Sequence, residues 1–178
     1  TGEKGNPCVV MAHGFGATRE CGLEPYAQRL CDAGFAVVVF DYRHFGSSQG
    51  SPRQLLSISR QLQDWAAAVA FARSVSGIDP DRIALWGNSF SGGHVIEMAA
   101  RDRRVAAVCA QCPMLDGTVT ALLVLWVSGV AHSLRLLVHG LRVALRALRG
   151  GEPHVIPMCT LRAGRQLGRG CRFTRATG

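Results

Sequence analysis

Residues 82–93 read Arg-Ile-Ala-Leu-Trp-Gly-Asn-Ser-Phe-Ser-Gly-Gly (RIALWGNSFSGG). An apolar run from Ile83 to Trp86 passes into a string of small residues, Gly87 to Gly93, and then directly into His94 to Arg101, which has helical character. Strand, sharp turn and helix together make the setting of a nucleophile elbow. A serine at its apex holds a strained backbone conformation with the hydroxyl pushed toward solvent, and the residues two before and two after it must be small. Here those positions are Gly87 and Ser91, one small-for-small departure from G-x-S-x-G, and the apex is Ser89. Glycine-rich strand-to-helix turns also bind phosphate or simply turn the chain. The phosphate reading lacks the lysine that a P-loop supplies, and the rest of the chain decides between the other two.

Upstream, Cys8 to His13 is a short apolar run expected to form a fully buried strand. Gly14 to Thr18 reads as a loop, Leu23 to Ala33 as a helix with Pro25 tolerated near its start, and Ala36 to Tyr42 as a second strand. Arg43 to Arg53 is too rich in Gly, Ser and Pro for regular structure. Leu55 to Val75 has helical periodicity, with Leu55, Ile58, Leu62, Trp65, Val69 and Ala72 or Ala68 on one stripe. Gly77 and Asp79-Pro80-Asp81 are expected to stop that helix and lead into the elbow strand. Downstream, Val105 to Pro113 reads as a fourth strand. Strands alternating with helices at this spacing predict an α/β fold with a mainly parallel sheet and helices on both faces. Such sheets place ligands at their C-terminal strand edge, which here carries His13 to Gly16, Asp41 onward, Ser89, and Cys112 to Asp116.

At 178 residues, 48% of them apolar, the chain has the length and composition of one globular domain. Its net charge of +8 is unevenly placed: residues 1–117 carry 11 basic and 11 acidic side chains, whereas residues 118–178 carry nine arginines and the single acid Glu152. The part holding the elbow is electrically balanced, which removes the main support for a nucleic-acid partner. The seven cysteines show no disulfide spacing, and the expectation is buried structural thiols in a reducing, cytoplasmic compartment. Cys109 and Cys112 resemble a C-x-x-C pair, but strand alternation would point them to opposite faces, and no metal site or cofactor is implied. Thr118 to Leu134 carries no formal charge, and Leu134 to Arg149 is an amphipathic helix pattern with arginines at 135, 142, 146 and 149. Seventeen uncharged residues, interrupted by Ser128, Gly129 and His132, make a poor membrane span, so buried or lid-like helices are expected.

The order of His13-Gly14-Phe15-Gly16, then Asp41-Tyr42-Arg43-x-Phe45-Gly46-x-Ser48-x-Gly50, then Gly87-Asn88-Ser89-Phe90-Ser91-Gly92-Gly93 resembles the α/β-hydrolase superfamily. It is most similar to its dienelactone-hydrolase-like and X-Pro-dipeptidyl-peptidase-like bacterial serine hydrolases, over about Pro7 to Pro157. The resemblance implies Ser89 as nucleophile, with the backbone N–H groups of Phe15 and Phe90 as the oxyanion hole. It also implies His13 as a brace for the oxyanion loop, Asp41 as a structural residue, and His44 at a position where these proteins commonly have glycine. The implied partner is a small-molecule or peptide acyl substrate.

A serine nucleophile needs a base and an orienting carboxylate, and these hydrolases order them as Ser, acid, His along the chain. Asp116 is a candidate acid at the same sheet edge, set against a turn-forming Asp116-Gly117. His132, His139 and His154 are weaker candidates for the base than for surface or packed residues, and His94 is expected to pack. Residues 159–178 are Arg-, Gly- and Cys-rich without strand alternation, and the chain as a whole uses 19 Arg to one Lys. The expectation is that the coding frame is lost near Pro157 to Cys159, so that C-terminal sheet strands are missing and turnover is negligible. The expected organisation is a hydrolase core at 1–117, lid-like helices at 118–157 and an irregular basic tail at 158–178. The competing expectation is a non-catalytic fragment that self-associates or binds membrane through apolar helices.

Overall fold

The computed structural model describes residues 5–149. The strand β1 (Asn6–Ala12) is the hub: it pairs in parallel with β2 (Ala36–Phe40) on one side and with β3 (Ile78–Asn88) on the other. The register runs Val9 to Val37 and Val9 to Ala84, and β4 (Ala107–Gln111) extends the sheet beyond β3 to give the order β2-β1-β3-β4. Alternation explains why β1 is apolar at every position from Cys8 to Ala12. Cys8, Val10 and Ala12 face α2 (Ile58–Ser74) and α3 (Phe90–Arg101), packing with Trp65, Val69, Ile83, Leu85 and Val95. Val9 and Met11 face the other way, with Leu23 and Trp86, under α1 (Glu24–Asp32). A strand covered on both faces has no polar side to show.

Three elements depart from the sequence expectation. Asp79-Pro80-Asp81 lies within β3 rather than before it: Asn6 pairs with Ile78 but Cys8 with Ile83, so a register shift absorbs the exposed turn-forming residues and the missing proline N–H. The buried stripe of α2 is Leu62, Trp65, Val69 and Ala72 with Gln61, while Leu55 and Ile58 stay exposed because they precede the part of the helix that lies over the sheet. The cysteines are not generally buried. Of the five described, Cys8 is buried and Cys21, Cys31, Cys109 and Cys112 are exposed. Cys109 sits on β4, the edge strand, whose residues other than Ala110 are exposed, and Cys112 has left the strand with φ 46°.

The uncharged segment and the arginine-bearing segment together form α4 (Gly117–Leu148), broken at Gly129, whose φ of 77° and ψ of 165° are outside helical geometry. Of the two expectations for this segment, buried or lid-like helices, burial is not what the described residues show. Among the described residues α4 has no substantial packing against the other elements, and Leu122, Trp126, Val130, Leu134 and Leu148 are exposed, Trp126 by 83%. Among the described residues no helix is long and apolar enough to cross a membrane. His154, Pro157 and the basic tail lie outside the described residues.

Candidate active site

Ser89 stands between β3 and α3 with φ 56° and ψ −114°, a left-handed conformation that a residue bearing a Cβ rarely adopts. The surroundings hold it there. Its N–H donates to the Gln111 carbonyl at 2.8 Å, and its own carbonyl accepts the Met114 N–H at 3.0 Å, so the turn is tied to the end of β4 through both backbone groups. Closeness of strand and helix explains the small residues. A Cβ on Gly87 would collide with the Ser91 carbonyl oxygen and lie 2.6 Å from its carbon, and one on Gly92 would lie 3.0 Å from Pro113 Cα.

The loop after β1 reaches the same point. A Cβ on Gly14 would lie 3.2 Å from Ser89 Cβ and 3.8 Å from Ser89 Oγ, so only glycine lets this backbone run beside the hydroxyl. Phe15 follows it, 49% exposed, its ring edge-on to buried Phe90 at 5.7 Å. Neither the Phe15 nor the Phe90 amide donates a hydrogen bond among the described residues. The candidate nucleophile and both candidate amide donors thus belong to adjacent backbone.

His13 is 2% exposed, with Nδ1–H donating to the Gly14 carbonyl at 3.0 Å and Nε2 3.7 Å from Asp41 Oδ1. Burial pushes its pKa down, against the upward pull of the Gly14 bond and of Asp41. A ring fixed to its own loop and packed edge-on to Tyr42 at 4.9 Å braces that loop. Asp41 accepts the Arg19 N–H at 2.7 Å and the Ser47 N–H at 3.1 Å, pinning the two loops that flank it. His44 takes φ 73°. Its strain is offset by bonds on every side: its N–H donates to Gln49 at 2.8 Å, Nδ1–H to Pro52 at 2.9 Å, and Nε2 accepts from Arg60 at 3.1 Å.

The remaining candidates have contacts of their own. His94 is buried, donates from Nε2 to Gln61 Oε1 at 2.9 Å, and has its pKa lowered to about 4 by burial, so it is a neutral packed residue. Asp116 Oδ1 accepts the N–H groups of Thr118 at 2.7 Å and Val119 at 3.0 Å, capping α4, and those bonds lower its pKa. His132 and His139 lie on α4. Among the described residues the ring nitrogens of His13, His44 and His94 bond to groups other than the Ser89 hydroxyl, and no His, Cys, Asp or Glu group is arranged to hold a metal ion. Sequence reasoning missed the buried polar chain beneath the elbow, where Trp65 Nε1–H donates to the Tyr42 hydroxyl at 2.8 Å and Tyr42 donates to Ser91 Oγ at 3.0 Å. Partners 23 and 49 residues apart leave no local signal.

A family model described as serine aminopeptidase, S33, matches residues 4–173. The chain is 45% identical over 158 residues to the quorum-quenching protein AidA of Acinetobacter baumannii, covering 89% of this chain and 51% of AidA. It is 41% identical over 117 residues to the thiohydrolase aneE of Aspergillus aculeatus, covering 66% of this chain and 37% of that one. Among solved structures, the α/β hydrolase GrgF from Penicillium sp. sh18 superposes with a TM-score of 0.70 at 26% identity, over 89% of this chain and 52% of its own. The chain therefore spans about half, or less, of the length of these proteins.

Proposed function

The chain belongs to the serine aminopeptidase S33 family of α/β-hydrolases, and from that premise we propose that the whole protein is a cytoplasmic serine hydrolase cleaving an ester, thioester or peptide-like acyl bond through an acyl-enzyme on Ser89. The observation that carries the reading is the positive φ of Ser89 at a turn into which Gly14 and Gly87 both fit without room for a Cβ. In this mechanism the general base takes the Ser89 hydroxyl proton as Oγ attacks the acyl carbon, and the developing oxyanion accepts hydrogen bonds from the Phe15 and Phe90 amides. A preorganised donor of this kind contributes about 3 kcal/mol to the transition state. The leaving group departs with a proton from the general base, and water then releases the acyl group. The name of aneE favours the thioester within that range.

Asp116 is the proposed acid, and the base belongs to a part of the protein beyond the described residues. The described residues then keep the nucleophile, the proposed acid, the amide donors and binding without that base, and the turnover of the 178-residue chain is expected to be negligible. A fluorophosphonate probe on the whole protein is expected to label Ser89, located by peptide mass spectrometry, with Ser89→Ala as control. A folded whole protein that stays unlabelled overturns the reading.

The exposed apolar side chains of α4, Trp126 and Leu148 above all, favour a second reading for the isolated chain: self-association without catalysis. Size-exclusion chromatography with and without liposomes separates it from the first. A clean monomer that does not shift with lipid rejects it.

A further inference from the structure

The motif G-x-S-x-G departs here at one position, and the side chain that marks the departure is not idle. Ser91 is fully buried, in the first turn of α3 and two residues beyond Ser89. Its backbone is the surface that Gly87 packs against, so any movement of Ser91 moves the elbow. A buried hydroxyl is tolerated when it is paired, and this one accepts from Tyr42, which in turn accepts from Trp65. Tyr42 and Trp65 are as buried as Ser91, and they sit on different elements: Tyr42 just past the end of β2, Trp65 in the middle of α2. The chain of two hydrogen bonds therefore joins the end of β2, α2 and α3 beneath the turn where Ser89 is held at positive φ between β3 and α3. Burial raises the Tyr42 pKa well above its ordinary value, so the phenol stays protonated and remains the donor to Ser91 across the working pH range.

We propose that Tyr42, Ser91 and Trp65 form a tether that holds Ser89 in its strained, attack-ready conformation, with Ser91 and Tyr42 as positioning residues for the proposed reaction. Strained backbone persists only where neighbouring contacts over-determine it, and the tether adds such a contact that a glycine at position 91 would lack. Its catalytic consequence rests on the Ser89 reading above; its conformational consequence does not.

The test uses Ser91→Ala, Tyr42→Phe and the double variant in the whole protein, with two readouts. In hydrogen exchange, the amides of residues 89–94 are expected to exchange about tenfold faster in each single variant, with β1 and residues 83–86 of β3 unchanged. In fluorophosphonate labelling, the maximal rate at Ser89 is expected to fall about tenfold at unchanged inhibitor affinity, and the double variant to match either single one, because the two residues act as a unit. A structural role alone would lower melting temperature without dividing rate from affinity in this way. Unchanged exchange at the elbow in folded variants overturns the proposal, as do losses that multiply in the double variant. If wild type is not labelled, the nucleophile reading fails, and exchange at the elbow still decides the tether. Should Tyr42→Phe fail to fold, Ser91→Ala and Trp65→Phe, which removes the N–H donor to Tyr42, carry the same comparison.

Discussion

Gly87→Ala puts the closeness of strand and helix to a quantitative trial. The added Cβ would lie 2.6 Å from the Ser91 carbonyl carbon and 3.0 Å from the Gly92 nitrogen, against an ordinary carbon–carbon separation of about 3.5–4.0 Å. Relief requires β3 and the start of α3 to part by roughly 1 Å, and both obstacles are main chain, with no rotamer to turn aside. Overpacking costs about 1–3 kcal/mol where side chains can adjust, so the upper end, about 3 kcal/mol, applies here. For a domain of this size that lowers the melting temperature by roughly 6–12 °C. Gly92→Ala meets Pro113 Cα at 3.0 Å and Pro113 Cβ at 3.2 Å, a milder conflict worth about 1 kcal/mol. Gly117→Ala meets nothing within 4 Å and should stay within about 0.5 kcal/mol of wild type. Thermal melts followed by circular dichroism give all three values. A Gly87→Ala protein melting within about 2 °C of wild type, or no less stable than Gly92→Ala, would show that strand and helix are not in this contact.

Two further predictions concern titration and the helix cap. His94 has a folded-state pKa of about 4 against an ordinary 6.5, so the unfolded chain binds the extra proton between those values; stability is complete above about pH 6.5 and falls as the pH drops toward 4, by about 3 kcal/mol. Urea unfolding across that range measures it, and His94→Gln should flatten the dependence; an equal acid loss in the variant would remove His94 as its source. Asp116→Asn retains an oxygen able to cap α4, whereas Asp116→Ala does not, so helicity should be preserved in the first and reduced in the second. Labelling of Ser89 in the whole protein then separates the roles of Asp116: a marked loss in Asp116→Asn supports it as the acid, and an unchanged rate leaves it as a cap alone.

What the sequence made legible was whatever depends on neighbours along the chain. The run Cys8 to Ala12 announces a strand buried on both faces because every position is apolar, and the elbow announces itself because its geometry excludes side chains at fixed offsets from Ser89. Long-range chemistry left no such mark. Tyr42 read as the last residue of a strand and Trp65 as an ordinary core residue, and only the fold brings them under Ser91. Asp79-Pro80-Asp81 has the composition of a turn and is carried inside β3 by a register shift that only the pairing with β1 reveals. The cysteines were misjudged for a related reason. Burial depends on what covers a residue, and Cys109 lies on a strand at the edge of the sheet. The apolar character of α4 was plain, but apolarity does not say what a helix packs against.

The central claim is that Ser89 forms a covalent acyl intermediate. Rapid-quench mixing of the whole protein with a chromogenic ester, followed by peptide mass spectrometry, tests it most directly. A burst of product accompanied by the acyl mass on the peptide bearing Ser89, absent in Ser89→Ala, is the expected result. Turnover of the ester with no acyl adduct on Ser89, or with the adduct on another residue, would contradict it.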